Sequence, residues 1–410
     1  MLVRKMANRI FMLTFLCMLI AASLADAKGE VIYGNGEYII VDGEDKSSGE
    51  EIAFQEAMRN AVQQAGVMIQ AYSKSENAQL TDDEVYAVAN GIIHLKNKSI
   101  SWKDNHLVSV HITAEIDTKE ISTELSKCQS DYEIVMRYKK AKENYNQLMH
   151  EIQDLKNKLE KAKDEYERNN INESIKEKTQ RFIAMIWFER ALVSYTDDDM
   201  ENAMSSIETS IALDDVYANA YGLRGMIYEK LSQYDNALQD YDNALNIDSH
   251  LIEVYNNKGL LYKQLEMYEK ALQNFDSAIH EDCYNTVVYF NRAQVHASMG
   301  DFEEALQDYN SAISINDRHY SSYVGRAILY ANNIGRPELA MQDANMAISI
   351  NRSLPDGYAA RGMALVYMNQ PMEAIDDFNM AISLSGMNNP MLPLLYNVKS
   401  ALEKEVSMKK

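Results

Sequence analysis

The stretch that decides the fold is Tyr221-Gly222-Leu223-Arg224-Gly225-Met226-Ile227-Tyr228, which is followed by Ala237-Leu238-Gln239-Asp240-Tyr241-Asp242-Asn243-Ala244. The same skeleton of aromatic and small residues returns twice at a spacing of 34 residues. A period of this length is typical of stacked helical hairpins, since one hairpin cannot cover its own apolar face. The two returns are Gly259, Tyr262, Ala271, Phe275 and Ala278, then Tyr289, Ala293, Ala305, Tyr309 and Ala312.

The repeat predicts six hairpins. In each, a small residue such as Gly225 lets the second helix approach closely, and Tyr241 between two alanines gives that helix an interlocking seam. The fifth unit carries one extra residue within 332–337. The units are 184–217, 218–251, 252–285, 286–319, 320–354 and 355–388.

This skeleton resembles the tetratricopeptide repeat family. The resemblance implies a mostly α fold, a right-handed α-solenoid of six hairpins. A solenoid needs a cap over its last apolar face, and residues 389–410 predict that helix, with an apolar side formed by Leu392, Leu395, Val398 and Leu402.

We expect the first helices of the hairpins to line a concave groove. Its mixture of apolar and amide side chains suits an extended or helical peptide, held by shallow apolar contacts and hydrogen bonds. Asn257 and Asn291 resemble part of the family's carboxylate clamp, but no Lys/Arg set accompanies them, so we do not expect that mode. The predicted groove residues are Phe188, Leu192, Met226, Glu229, Asn256, Leu260, Lys263, Phe290, Gln294, Ile328 and Met363.

A basic residue precedes the small residue in every unit, and acidic or amide residues recur on the second helices. The basic residues could grip an acidic ligand or could pair with those recurring residues; periodic opposite charges favour the structural role. The basic set is Arg190, Arg224, Lys258, Arg292, Arg326 and Arg361, and the facing set is Asp240, Asn274, Asp308, Asp343 and Asp377.

The N-terminus predicts export. Arg4, Lys5 and Arg9 precede a short apolar run, and an Ala-x-Ala exit allows cleavage after Ala25 or Ala27, as in a secretory signal peptide over residues 1–27. The alternative is an uncleaved membrane anchor. No later segment is apolar enough to span a membrane, so we expect a mature protein of the periplasm or cell envelope with no membrane insertion.

Residues 28–122 predict a small α+β domain. We expect a turn at Gly34-Asn35-Gly36, a strand over 37–41, helices from Glu50 and Thr81, and a hairpin of 100–102 with 107–116. Ala53, Ala57, Ala61 and Ala65 form a stripe suited to close packing on a sheet. This order, with the run from Ala57 to Gly66, resembles the small N-terminal domain of the periplasmic flagellar-ring assembly protein and of related secreted lipoproteins. It implies an envelope assembly module.

Residues 128–183 predict a long charged helix. Apolar residues step by four and three from Ile134 to Tyr166, nearly five heptads. Two arrangements stay open: a parallel coiled-coil homodimer through 131–167, or a helix that turns at Asn169-Asn170 and folds back on residues 171–186.

The charge of the repeats limits the partners. Between 184 and 388 there are thirty Asp/Glu and twelve Lys/Arg, a net of −18, which repels nucleic acids and anionic headgroups. No phosphate loop, metal-ligand spacing or nucleophile elbow is present, so we expect no catalysis, cofactor or metal. The leading hypothesis is a scaffold that binds a protein or peptide partner in the envelope. The alternative is a structural assembly subunit that oligomerises through the heptad helix and the N-terminal domain.

Overall fold

A computed structural model describes residues 30–41, 44–75, 80–116, 120–121, 132–386 and 392–408. These divide into two compact units. The first comprises residues up to 190 together with 209–215, and the second comprises 191–208 and 216 onward. The predicted signal peptide and Cys128 lie outside the described residues.

The first unit contains a three-stranded antiparallel sheet in the order β1-β3-β2, and the strand, helix, helix, strand, strand order is as predicted. Residues on one face of the sheet are buried against α1, whereas His111 on the other face is exposed and lies 2.7 Å from Asn35. The elements are β1 Glu30–Ile39, α1 Lys46–Ser75, α2 Asp82–Ile92, β2 Ile93–Lys103 and β3 Leu107–Ile116.

The predicted turn at Gly34-Asn35-Gly36 is wrong, because these residues lie inside β1. A Cβ added to Gly34 would lie 1.9 Å from the carbonyl oxygen of Ala57, and one added to Gly36 would lie 1.9 Å from that of Ala53. The glycines are therefore needed for close approach of strand to helix, not for chain reversal. The alanine stripe of α1, fully buried, is the other side of this contact.

Strand β2 is longer than the predicted 100–102. Nearly all of its residues are exposed, and lysines 96, 98 and 103 interrupt any apolar alternation. Charged side chains are common on edge strands, where they oppose pairing with other chains. The pattern that reveals a half-buried strand is therefore absent from most of β2.

The long charged helix is in fact two helices, α3 Tyr132–Lys161 and α4 Glu165–Thr196. The break falls at 162–164 rather than at Asn169-Asn170. Asp164 accepts a hydrogen bond from the Tyr166 backbone N–H at 3.3 Å, and Arg168 donates to the carbonyls of Leu159 and Ala162. These contacts satisfy polar backbone groups where one helix ends and the next begins.

The apolar side of α3 is covered within the first unit. Leu148 and Ile152 are buried in the same core as Ile175 and Phe182 of α4, and Tyr145 meets Phe182 edge-on at 5.0 Å. A continuous helix over 131–167 with an open dimer seam is therefore not the arrangement observed. The side chains of Ile134, Tyr138 and Ala141 lie outside the description.

The second unit is a solenoid of helical hairpins, as predicted. From the second repeat onward the first helices begin at the predicted positions, whereas the first repeat has no helix start at 184 because α4 runs through it. The helices are α5 Met200–Leu213, α6 Ala218–Lys230, α7 Tyr234–Ile247, α8 Ile252–Gln264, α9 Tyr268–Glu281, α10 Thr286–Met299, α11 Phe302–Ile315, α12 Tyr320–Leu329, α13 Pro337–Ile350, α14 Pro355–Tyr367, α15 Pro371–Leu384 and α16 Leu392–Met408.

The interlocking seam is the one the sequence predicts. Tyr241 and Phe275 are fully buried, and a Cβ added to Gly225 would lie 2.6 Å from the Tyr241 ring. The extra residue of the fifth unit is absorbed by one π-helical turn, Tyr330–Ile334, which ends on Gly335 at φ 69°. At the end of the solenoid, Leu395 and Leu402 are buried against the last hairpin.

The predicted charge ladder is structural in four of the five units from the second onward. Arg224, Arg292, Arg326 and Arg361 each bind a buried aspartate of their own second helix through two nitrogens, at 2.6 to 2.9 Å. In the third unit Asn274 stands where the other second helices carry the aspartate, and Lys258 pairs instead with Asp242 of the preceding unit. Arg190, within the first unit, pairs with Glu51 at 2.6 Å.

Substituting Gly36→Ala should lower the stability of the first unit. The added methyl group would clash with the carbonyl oxygen of Ala53, and this backbone atom can move only if α1 shifts. Overpacking of this kind costs on the order of 1–3 kcal/mol or more. Hydrogen exchange of α1 peptides should become faster. Gly66→Ala is the control, since its Cβ meets only the Val85 side chain at 3.2 Å and the helix gains about 1 kcal/mol from alanine. Equal protection in both variants would contradict this account.

Substituting Arg292→Met should destabilise the second unit by about 3–5 kcal/mol, because Asp308, only 3% exposed, keeps a buried charge without a partner. Lys258→Met is the matched control, since its partner Asp242 is 57% exposed and exposed pairs contribute about 1 kcal/mol or less. Urea unfolding followed by circular dichroism would measure both. Similar losses of unfolding free energy in the two variants would show that the burial of Asp308 does not determine the effect.

Candidate functional site

The candidate site lies on the first helices of the second unit. A cleft of about 330 Å³ opens between α6 and α8, and it is lined by Tyr195, Met226, Glu229, Lys230, Asn257, Leu260 and Gln264. Three of the predicted groove residues, Met226, Glu229 and Leu260, therefore line one cavity. The helical period explains this: Met226 and Leu260 hold the same place in successive units, 34 residues apart.

Glu229 is the carboxylate of the cleft. It accepts a hydrogen bond from the buried Tyr241 hydroxyl at 2.9 Å. Burial raises the pKa of the Glu229 carboxyl, and the Tyr241 hydrogen bond lowers it by a smaller amount. Burial, and then the charge of Glu229, raise the pKa of the Tyr241 phenol. Among the described residues no basic side chain lies within salt-bridge distance of Glu229.

Two further pairs join neighbouring first helices. Lys263 of α8 donates a hydrogen bond to the Gln294 side chain of α10, and burial lowers the pKa of its ammonium. Asn291 of α10 donates to the Asn256 side chain at 2.8 Å. The predicted groove residues Lys263 and Gln294 therefore already hydrogen-bond each other, and Asn256 is bonded to Asn291, so only their remaining donors and acceptors are available to a ligand.

The remaining predicted residues are spread along the chain. Phe290 packs against Tyr309 and meets the His319 ring edge-on at 5.5 Å. Ile328 of α12 is 37% exposed, and Met363 of α14 packs partly against the last core. Leu192 is half-buried in the second unit, whereas half-buried Phe188 belongs to the first unit.

The sequence prediction missed three lining residues, Tyr195, Lys230 and Gln264, and named Asn257 only as part of a clamp pattern. Tyr195 could have been found, because it stands 34 residues before Glu229 and so holds the equivalent place in the preceding unit. Lys230 and Gln264 are likewise equivalent to each other. Across the described residues no group of three or more His, Cys, Asp or Glu could hold a metal ion. No described helix has the length and apolarity that a membrane crossing requires.

The second unit therefore belongs to the class of stacked-hairpin solenoids with a cleft on their first helices. Three of its hairpins match family models of the tetratricopeptide repeat: residues 218–251 and 286–319 match one model, and residues 252–280 match a second. Repeats of this kind are generally protein-interaction scaffolds. No curated protein matches the sequence.

Solved structures of low identity resemble the chain. PilW, described as a widely conserved type IV pilus biogenesis factor, is 19% identical, with 52% of this chain and 98% of that chain covered and a TM-score of 0.47. The structure of pilF of Pseudomonas aeruginosa is 17% identical, with 54% of this chain and 98% of that chain covered and a TM-score of 0.47. A tetratricopeptide repeat protein of Parabacteroides merdae is 21% identical, with 63% of this chain and 99% of that chain covered and a TM-score of 0.44.

Substituting Tyr241→Phe should raise the pKa of Glu229 further, because the hydrogen bond that stabilises the ionised carboxylate is lost while burial remains. NMR titration of labelled glutamate, with the signal assigned from Glu229→Gln, would measure it. Tyr309→Phe is the control, since it removes the hydroxyl at the equivalent place two units later. An unchanged or lower pKa in Tyr241→Phe would contradict the hydrogen bond.

Proposed function

We propose that this protein is an exported, non-catalytic scaffold that binds a protein or peptide partner through the cleft between α6 and α8 and the first-helix surface beyond it. The observation that carries the proposal is the composition of the cleft. Apolar Met226 and Leu260 lie beside the Glu229 carboxylate and the amides of Asn257 and Gln264. Such a mixture supplies apolar contact for a side chain and hydrogen bonds for a peptide backbone.

The compartment in this proposal is the periplasm or cell envelope. It is supported by the N-terminal pattern of Arg4, Lys5 and Arg9, the apolar run and the Ala-x-Ala exit. An N-terminally anchored form is the alternative. The resemblance of residues 28–122 to envelope assembly domains agrees with either placement.

A crosslinked pull-down from the cell envelope tests the proposal. Leu260→Glu places a charge on the apolar wall of the cleft and should remove most of the bound partner. Met346→Glu is the matched control, because Met346 lies on a second helix and is already 45% exposed. Circular dichroism would establish that both variants fold. If Leu260→Glu retains the same partners as the control, the cleft is not the binding surface.

A second candidate is a structural assembly subunit that self-associates. It is favoured by the sheet of the first unit, where the exposed face of β1 carries Val31, Tyr33 and Ile39, each more than half exposed. Since Leu148 and Ile152 of α3 are buried, such assembly would use the sheet rather than the heptad seam. Mass photometry of the protein lacking residues 1–27 separates the two: a monomer at micromolar concentration removes the second candidate.

A further inference from the structure

The cleft between α6 and α8 contains an acid whose charge is not matched. Within the part of the chain that the structure describes, Glu229 accepts a hydrogen bond only from the neutral Tyr241 hydroxyl, and burial raises the pKa of its carboxyl. A buried carboxylate is stabilised most by a cation that also donates hydrogen bonds to it. The cleft is therefore electrostatically incomplete in the free protein.

The cation already present in the cleft is engaged elsewhere. Lys230 donates to Asp198 at 2.7 Å and lies 4.8 Å above the Tyr195 ring. Lys230 therefore lines one side of the cleft with its ammonium group paired to Asp198 rather than to Glu229.

The walls suit a long side chain with a polar end. Met226 and Leu260 offer aliphatic contact, and about 330 Å³ is at the lower end of the range of about 300–1,000 Å³ that small-molecule pockets occupy. Lysine and arginine combine an aliphatic stem with a charged head, and they bury the first while directing the second to acceptors.

The hydrogen-bonding groups near Glu229 can act as acceptors. Gln264 donates through its Nε2 to the Tyr234 hydroxyl at 2.9 Å, and its amide oxygen is an acceptor that this bond does not use. Asn257 adds a second amide oxygen. A guanidinium or ammonium group has donors only, and this set of acceptors matches it. The repeats also carry a net charge of −18 between 184 and 388, which steers cations toward them.

We propose that this cleft takes a lysine or arginine side chain of the partner, with its stem against Met226 and Leu260 and its head on the Glu229 carboxylate. The inference rests on the proposed function, because it names the chemistry that the groove selects. The partner is thus a segment with a basic residue next to residues able to contact the apolar positions of the neighbouring first helices.

Libraries of random nine-residue peptides with a fixed central residue test this. The central residue is Lys, Arg, norleucine or Glu, and norleucine keeps the stem of lysine without its charge. Surface capture of the full chain should show about tenfold tighter binding for Lys or Arg than for norleucine. Binding of the Lys library should weaken as the pH is lowered and Glu229 becomes protonated. Because the pKa of Glu229 is raised, this loss should begin at a higher pH than the protonation of a free glutamate.

Two variants make the result specific. Glu229→Gln keeps an acceptor for Tyr241 and should lose most of the preference for the Lys and Arg libraries over the norleucine library. Glu229→Lys should reverse the order and prefer Glu, a change that a merely structural role would not produce. Equal capture of the Lys and norleucine libraries by the unmodified protein overturns the inference but leaves the proposed function intact. If no library binds and Leu260→Glu also retains its envelope partners, the proposed function fails as well.

Discussion

The structure of the second unit depends on one contact, that of a small residue on the first helix with an aromatic ring on the second. Gly225 faces Tyr241 and Gly259 faces Phe275, and both rings are fully buried. The ring occupies the space that a Cβ would need, so the two helices can close only if the first residue stays small. Each closed hairpin then presents its remaining apolar surface to the next one, and the stack follows from repetition of this contact.

The charge ladder connects successive hairpins, and it engages the arginines of the ladder in pairs within the protein. Arg292 binds buried Asp308 of its own unit and also Asp276 of the preceding unit at 2.6 Å. Arg326 and Arg361 reach back in the same way, to Asn310 and Asn345. A guanidinium shared between two successive second helices ties one hairpin to the next. Side chains committed to these pairs cannot also grip an acidic ligand.

The periodic features were predictable and the local exceptions were not. The repeat register places the first helices correctly from the second unit onward, because the same packing rule acts in each of these units. Gly34 and Gly36 were misinterpreted because glycine serves both turns and close approaches, and only the position of α1 decides between them. The break after Lys161 depends on the capping side chains of Asp164 and Arg168, which compete with a stronger-looking Asn169-Asn170 signal. Three of the seven lining residues of the cleft were predicted. The equivalence of Tyr195 and Glu229 becomes visible only when residues at the same position of successive units are compared.

Residues at equivalent positions of successive units form rows along the first helices, and the chemistry of these rows varies from unit to unit. One row runs Met226, Leu260, Gln294, Ile328 and Met363, and a neighbouring one runs Tyr195, Glu229, Lys263, Ala297 and Ala331. The helix positions repeat, but the chemistry differs: the second row changes from Glu229 and Lys263 to two alanines, whereas the first row is apolar except at Gln294. Packing constrains the glycine, alanine and aromatic positions of the seam, and also Ala331, which is buried in the core; the earlier members of these two rows are less constrained. A peptide bound along these first helices, as proposed above, would therefore meet charged side chains at Glu229 and Lys263 and apolar ones at Ile328 and Met363.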